Sequence, residues 1–378
     1  MSNMDRTYIY ADHAATTKLD SQALEAMLPY LTEAYGNPSQ RYAFARPARR
    51  ALREARETVA RCIGASPEEI YFTSGGTESD NWAVKGSVCP GGRRRIFTSA
   101  IEHHAVLHAC AAMERAGCPV VYLPVDAAGV LPPDTLRAAV TPDAGLVSVM
   151  LANNEIGTVE PVRELAGIAR QAGALFHTDA VQAVGHIPVD VRDLGVDMLS
   201  ASAHKFGGPK GVGFLYIRSG VELSTFMDGG GQEAGRRAGT ENIAAIAGMA
   251  AALEASVLRM EENRVHLESL TERFRRRLAA SGLDAVLNGA ENRIPGSISA
   301  SFRRAEGEML LHRLDLKGIA VSTGSACNAR STELSHVLRA IRVPEEYAGG
   351  TIRLTFGPEN TAEEVDYIVN CLREIIGG

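Results

Sequence analysis

From residue 69 to residue 217 the chain repeats one pattern, a short apolar or β-branched run followed by a stretch of helical period. Glu69–Thr73 (EIYFT), Arg95–Ser99, Pro119–Leu123, Gly145–Met150 (GLVSVM), Ala174–Thr178 (ALFHT), Val196–Ser200 and Val212–Ile217 read as strands. Thr77–Gly86, His104–Ala116 and Val162–Ala172 read as helices between them. Strand–helix alternation predicts an α/β fold with a mostly parallel sheet covered by helices on both faces. Ligands in such sheets sit beyond the carboxyl ends of the strands. Near Thr240 the texture changes. One long helical stretch runs to about Ala280. It is followed by a strand near Ser297–Ser301, a helix from Glu306, a strand at Thr351–Thr355 and a final helix from Thr361. Thr361 and Glu364 have capping-box spacing. The organisation expected is an N-terminal segment (1–20) that returns to a small α+β C-terminal domain (251–378), with a large domain (21–250) between.

Composition narrows the class. Of 378 residues, 45% are apolar and 22% charged, which excludes a disordered chain. The net charge of −6 gives no electrostatic case for direct nucleic-acid binding. The N-terminal MSNMDRTYIYADH has no apolar core of a signal peptide, and the apolar run Ile243–Leu253 is too short to span a bilayer, so no membrane association is expected. The six cysteines, at 62, 89, 110, 118, 327 and 371, form no CxxC pair. They fit a reducing, cytoplasmic setting rather than a disulfide framework. Cys62, Cys110 and Cys371 fall in helical patterns and read as core thiols.

Three segments carry candidate chemistry. Lys205, in SASAHKFGGPKG, directly follows a strand and stands among small residues and glycines, an unusual place for a solvated charge. A lysine confined there suits amine chemistry on a carbonyl. Asp179, in FHTDAVQ, lies at the end of a strand 26 residues earlier, where a carboxylate can pair with the protonated ring nitrogen of pyridoxal phosphate (PLP). Ser74-Gly75-Gly76-Thr77-Glu78 opens a helix after a strand, a geometry that cradles phosphate. Taken singly, each fits a plainer reading: a surface lysine, a helix N-cap, an ordinary turn. Two further features stay open at this level. His104 and His108 have the spacing of a zinc pair but no evident third ligand, and Glu102 beside His103 reads as a capping or surface pair.

Ten blocks in order resemble the cysteine desulfurases of the nitrogenase and iron–sulfur assembly group, PLP enzymes of aminotransferase class V. They are YADHAATT near residue 10, GNPS (36–39), FTSGGTESDN (72–81), IEHHAVL (101–107), NNEIGTVEPV (153–162), HTDAVQAVG (177–185), SAHKFGGPKG (202–211), GGGQEAGRRAGTEN (229–242), VSTGSACNARS (321–331) and TIRLTFG (351–357). The resemblance implies PLP fold type I, with Lys205 holding the cofactor covalently and Asp179 on its ring nitrogen. Gln182 and Asn154 would lie near its phenolic oxygen, and His103 would stack on the ring and move protons. Gly76, Thr77, Ser202 and His204 would meet the phosphate, with Thr240 supplied by the other subunit of a homodimer. Arg353, with Asn154, would bind the substrate carboxylate.

By the same resemblance Cys327 is the nucleophile, and the implied reaction takes L-cysteine to L-alanine with sulfur held on Cys327 as a persulfide. The sulfur then goes to an acceptor, an iron–sulfur scaffold or a tRNA-thiolation enzyme. The segment Ser322–Thr332 has no apolar period, which predicts a mobile loop around that thiol. A selenocysteine lyase or another class V enzyme, or an inactive PLP-fold scaffold, are the alternatives. His13, Gln40, Tyr42, Ala45 and Leu334 depart from the usual pattern of the family, outside the cofactor set.

Overall fold

The computed structural model describes residues 8–88, 93–323 and 334–377. Its strands are β1 (Ile9–Tyr10), β2 (Ile70–Thr73), β3 (Arg95–Ser99), β4 (Val120–Leu123), β5 (Ala144–Ser148), β6 (Leu175–Asp179), β7 (Met198–Ser202), β8 (Gly213–Ile217), β9 (Ala285–Asn288), β10 (Ser297–Phe302), β11 (Ile319–Ala320) and β12 (Thr351–Thr355). A seven-stranded sheet runs in the order β2-β8-β7-β6-β5-β3-β4. From β7 to β4 every pairing is parallel. Only β8 runs against its neighbours, β7 and β2. The fold is the expected α/β type.

Alternate residues along each central strand enter two different cores, which is the period-2 rule of a strand buried on both faces. Ile96, Leu146, Met198 and Leu215 join Trp82, Val84 and Val106, from helices Gly76–Gly86 and His104–Arg115. Their neighbours Phe97, Val147, Leu199 and Phe214 face the opposite way, toward Leu165, Ile246 and Leu253. This double coverage leaves the strand ends as the place where polar side chains can gather.

A third core lies under a three-stranded antiparallel sheet, β12-β10-β9. Ile298, Phe302, Ile352 and Leu354 pack there with Phe274, Leu314, Ile368 and Leu372. The helix Ala362–Gly377 begins at the expected capping box, with Thr361 N–H donating to Glu364 and Glu364 N–H donating back to Thr361 Oγ1. β1 pairs in parallel with β11, and Asp12 forms a bridge beside Thr355. The N-terminal segment is thereby carried from this sheet toward the carboxyl edge of the large one.

The long helix expected from Thr240 to Ala280 is two helices, Ile243–Leu258 and Met260–Ala280, bent by 67°. The first is buried nearly all round between helices of the large sheet's core. The second buries one stripe, Leu267, Leu270, Phe274 and Leu278, against the other core. Two cores in different directions cannot be served by one straight rod, and the chain turns at Arg259. Among the described residues no single helix is long and apolar enough to cross a membrane.

Candidate active site

The carboxyl ends of β2, β3, β5, β6 and β7 open onto one cavity of about 560 Å³. Gly76, Thr77, His103, Asn154, Asp179, Gln182, Ser202, His204, Lys205 and Arg353 all line it. Thr240 does not. It lines an adjoining cavity of about 130 Å³ with Ser74, Arg237 and Glu241. Cys327 lies outside the described residues.

The phosphate-type cradle follows from glycine. Gly75 has φ of 145°, a region that side-chain-bearing residues rarely enter, and a Cβ on Gly76 would stand 2.5 Å from Val181 Cγ2. Helix Gly76–Gly86 therefore starts hard against the turn after β6, with its first N–H groups toward the cavity. Glu78 fixes this corner. It accepts from Ser74 N–H at 2.9 Å and from Arg237 Nε at 2.7 Å. Burial pushes the Glu78 carboxyl up, but these donors outweigh it and hold it below its usual range.

Lys205 closes a short helical turn after β7. Its ammonium donates to the carbonyls of Ala14 and Ala15, the latter at 3.0 Å. His204 reaches Thr16 Oγ1 at 3.1 Å, and Gln182 Nε2 donates to Ala14 O at 3.0 Å. The YADHAATT segment thus forms a wall of the cavity. Asp179 does not cap a helix; its Oδ1 accepts from Val181 N–H at 2.9 Å in a turn. Burial pushes its carboxyl up to about 6, while Val181 and Lys205 pull it down.

His103 caps helix His104–Arg115 through Nδ1, which accepts from Ala105 N–H at 3.1 Å. That use of Nδ1 leaves the proton of the neutral ring on Nε2. Desolvation first, then the charge of Lys205, pushes His103 down to about 4. The ring is neutral at pH 7. Glu102 is not the surface or capping acid its position suggested. It is fully buried and accepts from Ser99 Oγ at 2.6 Å and Met150 N–H at 2.9 Å. The ring centroids of His104 and His108 are 5.3 Å apart, and those of His104 and His336 are 4.9 Å apart.

Arg353, on β12, is 4% exposed. It donates to Asp12 Oδ1 at 2.7 Å and to Asn154 O at 2.9 Å, and its buried Nε has no hydrogen-bond partner among the described residues. A buried guanidinium that lines a cavity is suited to a carboxylate ligand. Two contributors were missed in the sequence. Asp80 lines the same cavity, and its spacing four residues after Gly76, one helical turn, is a signal that could have found it. Backbone carbonyls 14 and 15 carry no such signal, because any residue has one.

An α/β sheet with a lysine, a buried aspartate and a glycine-opened helix at one edge defines the PLP-dependent transferases of fold type I. The family model described as aminotransferase class-V matches residues 9–368. A cysteine desulfurase IscS of Dictyoglomus turgidum is 51% identical over 372 residues, spanning 97% of this chain and 94% of that one. A solved NifS-like protein is 40% identical with a TM-score of 0.93, covering 98% of this chain and 100% of its own. A solved complex of SspA with cysteine is 33% identical, with a TM-score of 0.82, covering 94% and 100%. The chain belongs to the class V aminotransferase family and, within it, to the cysteine desulfurases.

Proposed function

We propose that this chain uses PLP to convert L-cysteine to L-alanine and passes the sulfur through Cys327 to an acceptor. The observation that carries the reading is the convergence of Lys205, Asp179, His103 and Arg353 on one cavity at the carboxyl edge of the sheet. The residues fit the cofactor. The helix start at Gly76 and Thr77, with Ser202 and His204, offers donors to a phosphate, and the buried Asp179 suits a cationic ring nitrogen. Bound there, PLP supplies an electron sink for the bond-breaking at the substrate Cα.

The chain's own groups have distinct tasks. Lys205 Nζ would hold the cofactor and would move the proton at the substrate Cα. His103 would lie against the ring and hold a proton at Nε2, and Gln182 and Asn154 would be the residues toward the phenolic oxygen. Arg353 and Asn154 orient the substrate carboxylate. Cys327 takes the substrate sulfur as a persulfide, forming an S–S bond as the C–S bond breaks. Thr240 would meet the cofactor phosphate of a second copy in a homodimer; its place outside the main cavity of a single chain supports that reading. The acceptor is an iron–sulfur scaffold or a tRNA-thiolation enzyme, and the setting is the cytoplasm. The separate core beneath β12-β10-β9 supports a small domain at 251–378, met by the 1–20 segment and distinct from the large domain at 21–250.

The test is cysteine-dependent release of sulfide and alanine under dithiothreitol by the wild type and six single Cys→Ser variants. Cys327→Ser should bind PLP and cysteine yet release almost no sulfide, whereas the other five retain most activity. Borohydride reduction and peptide mapping should place the cofactor on Lys205. A label on Lys210, or persulfide on another cysteine, refutes the assignment.

A further inference from the structure

Asp80 has no part in the chemistry above, yet it is placed at its centre. It stands on helix Gly76–Gly86, is 1% exposed and lines the cavity. Across from it, β6 presents Asp179 and His177. One oxygen of Asp80, one of Asp179 and one ring nitrogen of His103 all lie within 4.8 Å of one another. Asp80 Oδ1 has no hydrogen-bond partner among the described residues. Its only ion-pair contact among them is His177 Nε2, at 3.7 Å. His177 cannot serve as a cation there. Burial pushes it down to about 3, and its two nitrogens already meet Ser148 Oγ and Ser200 Oγ at 2.9 Å each.

Two buried carboxyls within 4.8 Å of each other oppose joint ionisation, because each charge raises the cost of the other in a medium that screens both weakly. The surroundings decide which keeps the proton. Asp179 has the Val181 amide on Oδ1 and the positive charge of Lys205 nearby. Asp80 has the Ser200 hydroxyl on one side and the acids Asp179 and Glu102 around it. Burial and then the charge of Asp179 push Asp80 well above the ordinary carboxyl range, while the Val181 amide and the Lys205 charge act to hold Asp179 down. An oxygen that finds no donor is an anomaly for a carboxylate and an ordinary state for a carboxylic acid.

We infer that Asp80 is a positioning residue: it keeps one proton and donates it as a hydrogen bond to Asp179, holding that carboxylate as an oriented anion toward the cofactor ring nitrogen. The inference rests on the PLP reading for its consequence but not for the shared proton itself. A donated hydrogen bond makes Asp179 a weaker base, so a proton on the ring nitrogen stays on the ring rather than returning to the carboxylate. No charge changes on Asp80 during the reaction.

Two measurements test this. The first is infrared difference spectroscopy of the cofactor-free chain at neutral pH, wild type minus Asp80→Asn. A band of a buried protonated carboxyl should be present in the wild type and lost in the variant; no lost band overturns the proposal. The second is the ¹⁵N resonance of ring-labelled PLP in the reconstituted chains. The wild type and Asp80→Asn, whose amide still donates, should both show a protonated ring. Asp80→Leu should move the resonance to the position of a neutral pyridine. A Leu variant that matches the wild type overturns the role in holding Asp179. If circular dichroism shows that Asp80→Leu has not folded, the infrared result on Asp80→Asn decides. If the wild type itself takes up no PLP, the functional reading falls, and the infrared band still decides whether the proton is shared.

Discussion

Replacing Arg353 by lysine keeps a positive charge in the cavity and removes the planar fork that carries it. In the native chain two of the three guanidinium nitrogens are committed to Asp12 and to the carbonyl of Asn154, and the third, Nε, is buried with no partner among the described residues. A lysine ammonium can keep the Asp12 contact but cannot also present a second, fixed donor to a substrate carboxylate. The loss is one hydrogen bond between charged groups, about 1.5–3 kcal/mol in a buried site. At about 1.4 kcal/mol per tenfold, KM for cysteine should rise about 10- to 100-fold. Because the carboxylate is bound before and during the chemistry alike, kcat should fall much less. Steady-state sulfide release over a range of cysteine concentrations measures both constants. Arg353→Ala serves as the companion. It removes the partner of the half-buried Asp12 and should also lower the melting temperature, which Arg353→Lys should not. A KM for Arg353→Lys within twofold of the wild type would refute the assignment of the Arg353 guanidinium to the substrate carboxylate.

Two further outcomes follow from burial and from glycine. Glu155 is 5% exposed, its Oε2 accepts from Ser335 Oγ at 2.6 Å, and burial raises its carboxyl to about 7 against the pull of Ser335 and Arg353. Its protonated form is the one the fold favours, so its contribution to stability is full below the unfolded value of about 4.5 and is lost as pH rises toward about 7. Glu155→Gln, neutral at every pH, should therefore gain in melting temperature over the wild type between pH 5 and pH 8; a pH-independent difference would contradict this. Gly76→Ala places a methyl 2.5 Å from Val181 Cγ2 and must displace the helix start. Overpacking of about 1–3 kcal/mol predicts PLP affinity weaker by about tenfold in an absorbance titration, with secondary structure unchanged. Affinity equal to that of the wild type would show that this helix start does not hold the phosphate.

The central strands and the helices between them were legible along the chain because their signals are local. Ile96 and Phe97, or Leu146 and Val147, are adjacent in sequence and face opposite cores, so a doubly buried strand shows itself as an unbroken apolar run. Candidate site residues at the ends of such runs, Asp179 after ALFHT and Lys205 after the strand that ends at Ser202, had positions readable for the same reason, and both line the cavity. Other features depended on what each segment packs against. The turn at Arg259 exists because two cores lie in different directions, and no residue near 259 announces it. The burial of Glu102 and the contact of Lys205 with carbonyls 190 and 191 residues away are created by the docking of distant segments. The proton assigned to Asp80 has the same origin. A carboxyl's charge depends on the water it has lost and the charges it faces, and only the closed tertiary structure sets either one.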